Sequence, residues 1–257
     1  EARIQPQDLD IIIHGTTLAT NALIERKGAK TALITTEGLR DSVEMALENR
    51  FEQYDINIDR PPPIVPRHLR WAVRERMNYE GKVLLPLDEK SVLEIVPLAH
   101  AHKIEAIAVG LIHSYANEDH ERKVGQILRN ELPGISITLS SEVCPEIREY
   151  ERQSTASANA YVQPKMSRYL TELDKSLKAR SVSCPFFLMT SGGGLTTLET
   201  AIKFPVRLVE SGPAGGAILA SYIARECNVK NVVSYDMGGT TAKLCLIDDY
   251  EPQSTRA

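Results

Sequence analysis

Four short stretches of the chain concentrate glycine, hydroxyl and charged side chains: His14-Gly-Thr-Thr17, Ser191-Gly-Gly-Gly194, Ser211-Gly-Pro-Ala-Gly-Gly216 and Asp236-Met-Gly-Gly-Thr-Thr241. Each follows an apolar run of strand character. In open α/β sheets ligands collect at the carboxyl ends of strands, where glycine lets backbone N–H groups approach an anion with no Cβ in the way. Together the four stretches supply many N–H donors, several hydroxyls and one carboxylate. That set fits a phosphate held with a divalent cation better than it fits an apolar ligand.

The segment 236–241 is the sharpest of the four. The run 232–235 before it and the alternating Leu244-Cys-Leu-Ile247 after it place the turn at the tip of a β-hairpin. A Walker P-loop needs a helix there, and residues 238–243 lack its second glycine and the Ser or Thr after lysine. Residues 212–216 lack the G-x-G-x-x-G order of a dinucleotide site.

Other chemistry-bearing residues stay open on sequence grounds. His14, ending a strand beside Gly15, reads equally as a ligand contact and as a hydrogen-bonded core histidine. Ser191–Gly194 reads as an anion cradle or as a tight strand-to-helix turn. Arg152, Ser154 and Thr155 lie on a helix and can face either a cleft or solvent, and Asn159 and Tyr161 are similar. His100-Ala-His102 has the spacing of a metal pair, but positions two apart on a helix point about 200° apart, so the end of a helix is the expected place for it. Asp248 and Asp249 read as a hairpin turn, and Glu210 is a candidate base only through its neighbour Ser211.

The elements that must position these residues alternate. Residues 10–14 form a strand, 17–28 a helix stopped by Gly28, 30–35 a strand and 39–48 a helix, the order that builds a parallel sheet. Between 51 and 66 four prolines force an extended connection. Then follow a strand at 69–76, a helix at 88–101, and the unbroken apolar run 104–112, which suits a strand covered on both faces. Asn117 is placed to cap a helix whose apolar face is Val124, Ile127, Leu128 and Leu132 and whose stop is Pro133-Gly134. A strand at 135–139 precedes a helix over 149–180 with a break expected near Pro164. Strands are then expected at 186–190, 206–209, 232–235 and 244–247, with a helix at 217–225.

The chain has 257 residues, 42% apolar and 25% charged, enough for a core without disulfide or metal staples. Thirty Lys plus Arg against 34 Asp plus Glu are scattered, which disfavours a nucleic-acid partner. Its longest apolar runs are too short to span a membrane, and its four cysteines form neither C-x-x-C pairs nor a secreted framework, so a cytoplasmic address is expected. The polar lead-in 1–8, without an initiator Met, reads as the start of an excised piece.

Read as ordered motifs, His14-Gly-Thr-Thr-x-Ala-Thr-Asn-Ala-Leu-x-Glu-Arg-Lys-Gly28, Tyr150-Glu-Arg-x-Ser-Thr155 with Asn159-Ala-Tyr161, Ser211-Gly-Pro-Ala-Gly-Gly216 and Asp236-Met-Gly-Gly-Thr240 resemble the hydantoinase A and oxoprolinase family over nearly the whole chain. The resemblance implies an α/β, ribonuclease-H-like lobe of the actin and sugar-kinase type, with a mixed sheet flanked by helices and truncated at both ends. It implies an N-terminal lobe over 1–230 and the start of a second lobe over 231–257. The implied activity is ATP- and Mg²⁺-dependent opening of a cyclic amide, or else service as the ATP-using subunit of a ketone carboxylase; a nucleotide-gated binding module is a third possibility. Implied partners are a small cyclic amide and a hydantoinase B-like second subunit or domain, with oligomers when the protein is intact.

By the same resemblance Asp236, Thr240 and Thr241 are the catalytic candidates and Asp236 the Mg²⁺ ligand. Gly238, Gly239, Lys243, Gly192, Gly193, Gly212 and Gly215 are nucleotide contacts, and His14, Gly15, Thr16, Thr17, Asn21 and Arg152 are substrate contacts. Two features depart from the family. Its first phosphate hairpin would precede this chain, so the piece alone is not expected to turn over ATP. Ala242-Lys243 stands where many relatives carry Thr-Asp.

Overall fold

The computed structural model describes residues 5–47, 52, 54–238 and 242–253. It is an α/β protein of mixed sheets and helices, in two compact units: residues 22–165, and residues 1–21 together with 166–257.

The unit 22–165 is built on a four-stranded parallel sheet in the order Arg70–Val73, Thr31–Thr36, Ala106–Gly110, Ser136–Leu139. Both central strands are buried at every position, as their continuous runs of apolar and β-branched residues require. Asp88 caps the helix Glu89–Leu93 by accepting from Lys90 N at 3.0 Å. The helix Asp119–Glu131 starts one residue later than expected, with Glu118 as its cap; Asn117 Oδ1 still accepts from Asp119 N at 2.9 Å. That helix lies so close to the sheet that a Cβ on Gly125 would sit 2.9 Å from Leu139 Cδ2.

Several elements differ from expectation. The helix expected over 39–48 shrinks to Ser42–Met45, because Ala46 turns to a φ of 52° and ends it; Glu48 lies outside the described residues. The strand expected over 69–76 divides into Arg70–Val73 and Arg76–Met77, the second pairing with Val83–Leu85. The helix Glu149–Ala179 runs 31 residues straight through Pro164. A proline removes a single ladder bond, and buried Tyr161 and Val162 before it and Met166 and Leu170 after it hold both halves in place.

In the other unit, Ile12–His14 lies parallel to Phe186–Met189, which pairs antiparallel with Leu195–Thr197. Thus Ser191–Gly194 closes a hairpin and does not lead into a helix. Val206–Val209 is not a strand: Pro205–Leu208 forms a 3-10 turn, since Pro205 lacks the donor a strand ladder uses. The helix Ser211–Glu226 absorbs the whole glycine motif into its first turns. Pro213 is tolerated there because the first four helical N–H groups have no intrahelical acceptor. Val232–Met237 and Ala242–Asp248 form the expected hairpin, with Asp236 opposite Lys243 and Met237 opposite Ala242, followed by a turn at Asp249 and Tyr250 into Glu251–Pro252.

Candidate functional site

Parallel pairing of Ile12–His14 with Phe186–Met189 places their carboxyl ends side by side, so the turns after His14 and after Met189 leave the same sheet edge. The start of the helix Ser211–Glu226 docks onto both turns. Ser211 Oγ donates to Thr16 O at 3.2 Å, and Glu210 N donates to Thr20 Oγ1 at 3.0 Å. A Cβ on Gly212 would meet Thr17 Cγ2 at 3.6 Å, and one on Gly215 would meet Met189 Cε at 3.7 Å. Gly193 has a φ of +79°, and a Cβ there would lie 2.8 Å from Ile218 Cδ1, so both backbone and space demand glycine.

The structure therefore gathers His14, Gly15, Thr16, Thr17, Gly192, Gly193, Gly212 and Gly215 into one neighbourhood. Asn21 lies on the helix Leu18–Ile24 that follows, its amide bonded to Thr17 O at 2.8 Å. At the glycine triplet two amides are engaged by the protein itself, Gly193 N donating to Thr190 O at 3.0 Å and Ser191 N to Arg207 O at 2.8 Å.

The hairpin joins this neighbourhood through an ion pair. Lys243 Nζ contacts the carboxylate of Glu210, the residue that opens the helix Ser211–Glu226 in a left-handed conformation, φ 66°. Across the hairpin, Asp236 is exposed and its carboxylate makes no hydrogen bond or ion pair among the described residues. Open space surrounds Gly238. Gly239, Thr240 and Thr241, the rest of the apex, lie outside the described residues. What the arrangement offers is a carboxylate and an ammonium on adjacent antiparallel strands, beneath a glycine apex, with the ammonium at the start of a 16-residue helix.

His14 Nε2 lies 2.9 Å from Tyr169 Oη, and its ring sits 6.2 Å from that of Phe186. Burial lowers its pKa, so the neutral imidazole is favoured. Between the folded pKa and the ordinary value near 6.5 the unfolded chain binds more protons than the folded one. The stability this adds is present above about pH 6.5 and is lost as pH falls through that window. Urea midpoints taken from pH 7.5 down to 5.5 are expected to fall less in His14→Gln than in the native protein; equal slopes would refute the assignment.

Arg152 was expected as a substrate contact. It belongs to the unit 22–165 and is fully buried, and every guanidinium nitrogen is engaged: Nη2 donates to Leu111 O at 2.7 Å, Nη1 to Glu146 O at 2.9 Å, and Nε to Ser140 Oγ at 3.2 Å. Burial lowers its pKa while the buried carboxylate of Glu121 opposes that shift. His100 and His102 close the helix Ile95–Ala101 as expected, with His102 stacked near Trp71. Among the described residues no three His, Cys, Asp or Glu side chains form a metal cage, and no helix is long and apolar enough to cross a membrane. Sequence reasoning missed Thr20, Tyr169 and the Glu210–Lys243 pair. Thr20 had a signal inside the first motif, whereas Tyr169 lies 155 residues from His14 and had none.

A family profile described as the hydantoinase/oxoprolinase N-terminal region matches residues 1–132, and one described as hydantoinase/oxoprolinase matches residues 152–257. An uncharacterized protein of Methanocaldococcus jannaschii is 36% identical over 99% of this chain and 38% of its own length. The crystal structure of the ATP-dependent caprolactamase from Pseudomonas jessenii superposes with a TM-score of 0.83 at 33% identity, over 94% of this chain and 35% of that one. The nucleotide-free structure of acetone carboxylase gives a TM-score of 0.86 at 29% identity, over 95% of this chain and 36% of that one. This chain thus spans between 35% and 38% of the length of these relatives. With both profiles in chain order and the motif glycines gathered as described, the chain belongs to the hydantoinase/oxoprolinase family.

Proposed function

We propose that the intact protein is an ATP-dependent hydrolase that opens a cyclic amide. The observation that carries this reading is the hairpin in which Asp236 and Lys243 face each other across a glycine apex, tied through Glu210 to a helix start. The likeness to the ATP-dependent caprolactamase supports a lactam over other substrates. In the proposed reaction the amide carbonyl oxygen attacks the γ-phosphorus of ATP, and the bond to the ADP oxygen breaks. Water then adds to the carbon of the activated imidate and the C–N bond cleaves, the freed amine leaving an acyl phosphate, which a second water hydrolyses to the carboxylate and phosphate. Such phosphoryl transfer depends on positioning and on electrostatic stabilisation more than on covalent chemistry by the protein.

In this scheme Gly238, Gly239, Thr240 and Thr241 hold the phosphates by their amides and hydroxyls, and Lys243 neutralises phosphate charge. Mg²⁺ fits the donor set: it keeps several waters and takes one or two carboxylates with substrate phosphates, and Asp236 offers one exposed carboxylate outside any protein-only cage. The ion would supply charge neutralisation on the phosphates. A hydantoinase B-like subunit or domain, which completes the hydrolysis, and a cytoplasmic location belong to the same reading; four unpaired cysteines support the latter.

The intact protein with its partner is expected to release ADP only when a cyclic amide is present. Turnover of the amide without ADP release would count against the reading. The likeness to acetone carboxylase favours a second one, in which a ketone's enol oxygen is phosphorylated. Dependence of ADP release on ketone and bicarbonate would select it.

A further inference from the structure

Sequence spacing offers His100 and His102 as a metal pair, yet the fold gives His102 a different neighbour. Its ring lies 6.0 Å from that of His68, centre to centre, with the planes inclined at 51°, and 6.1 Å from the ring of Trp71. All three residues belong to the unit 22–165. His102 closes the helix Ile95–Ala101, its N–H donating to Leu98 O at 3.0 Å. Lys103 then turns left-handed at a φ of 53°, and the N–H of buried Ile104 donates to Ala99 O at 3.0 Å. His68 sits in the 3-10 turn Arg67–Leu69. On one side of it Arg67 donates to both oxygens of Asp41 at 2.8 and 2.9 Å; on the other, Leu69 and Arg70 are buried. Both histidines therefore hang from backbone that its neighbours fix, and Trp71 follows on the edge strand Arg70–Val73.

Neither imidazole has a hydrogen bond or ion pair among the described residues, whereas the rings of His14 and His120 meet Tyr169 and Glu75. His68 is exposed and His102 half-buried, so solvent reaches the pair. A neutral imidazole nitrogen with no protein partner is a ligand for late first-row divalent metals such as nickel, copper and zinc. Two imidazoles on one ion, at metal–nitrogen distances of about 2.0–2.1 Å and angles from tetrahedral to linear, have ring centres roughly 5–6.5 Å apart. The separation of His68 and His102 falls within that window. No third His, Cys, Asp or Glu completes a cage among the described residues, which leaves the other coordination positions to water.

We propose that His68 and His102 bind one late first-row divalent transition-metal ion through their two imidazoles. The site is separate from the nucleotide hairpin and requires no turnover. The probe is Ni²⁺, which does not oxidise the free thiols, titrated into the protein without nucleotide and followed by the fluorescence of Trp71, the one tryptophan of the 257 residues. Saturable quenching is expected, because a paramagnetic ion on His102 lies beside the indole. Mg²⁺ is expected neither to quench nor to displace Ni²⁺, since it takes oxygen ligands. His68→Ala and His102→Ala are each expected to weaken Ni²⁺ at least about tenfold. His100→Ala is expected to leave affinity unchanged, because His100 points about 200° away around the helix axis. His68 is exposed, so His68→Ala keeps the fold and decides the matter alone should His102→Ala lower Tm. Absence of saturable quenching, unchanged affinity in His68→Ala, an equal loss in His100→Ala, or displacement by Mg²⁺ would each overturn the proposal. The rings would then be no more than a stacked aromatic cluster. Since neither ATP nor a cyclic amide is present, failure here leaves the hydrolase reading untouched.

Discussion

Replacing Arg152 with alanine is expected to lower the unfolding free energy by about 3–5 kcal/mol, the range for removing one partner from a buried charged network. The side chain is wholly enclosed and ties three separate segments together: Leu111 at the end of the central strand, Ser140 after the next strand, and Glu146 before its own helix. Its guanidinium also lies 5.6 Å from the centre of the Tyr115 ring. Glu121, equally buried, accepts from Leu111 N at 2.8 Å, Ser140 Oγ at 2.6 Å and Ser141 N at 2.9 Å. Removing the cation leaves that carboxylate in low dielectric and strips three backbone carbonyls, those of Leu111, Glu146 and Arg148, of a donor. Lysine is not expected to rescue, because one ammonium cannot reproduce the planar fork. Urea denaturation gives the measurement; a loss below about 1 kcal/mol, the scale of an exposed pair, would contradict an anchoring role for Arg152.

The second large effect concerns affinity. Lys243→Ala is expected to weaken binding of MgATP to the intact protein by about 10- to 100-fold, as truncating one partner of a charge-assisted contact does. Its ammonium is held by Glu210, which is half-exposed, so the pair contributes no more than about 1 kcal/mol to stability in water. A change in stability without a change in affinity would make Lys243 a structural tie between hairpin and helix. A change in affinity at unchanged stability is the expected outcome, because an anion between the two strands can compete for the ammonium.

What could be read from the residues alone follows from how local each determinant is. The buried run at 104–112 and the capped helix after Asn117 were legible because period, cap and stop lie within a few residues of one another. The hairpin around residues 236–243 was legible for the same reason, since alternation on both sides defines it. The family motifs placed three glycine stretches together, yet not how: Ser211–Gly216 is helix, which only docking against Thr16, Thr17 and Met189 explains. Pro164 misled because a proline's local cost is fixed, whereas the packing that overrides it comes from elsewhere in the chain. Arg152 misled more instructively. A polar residue on a helix face carries no sign of whether water, ligand or a carbonyl 41 positions away will satisfy it.

In the proposed function the apex between Asp236 and Lys243 receives the phosphates of ATP. Calorimetric titration of the intact protein with MgATP, repeated on Asp236→Ala, tests it most directly. Asp236 is exposed on a hairpin strand, so alanine there should leave the fold intact. The alanine variant is expected to bind MgATP at least about tenfold more weakly than the native protein. Equal affinity in the two proteins would remove Asp236 from the site and rule out the hairpin as the phosphate cradle.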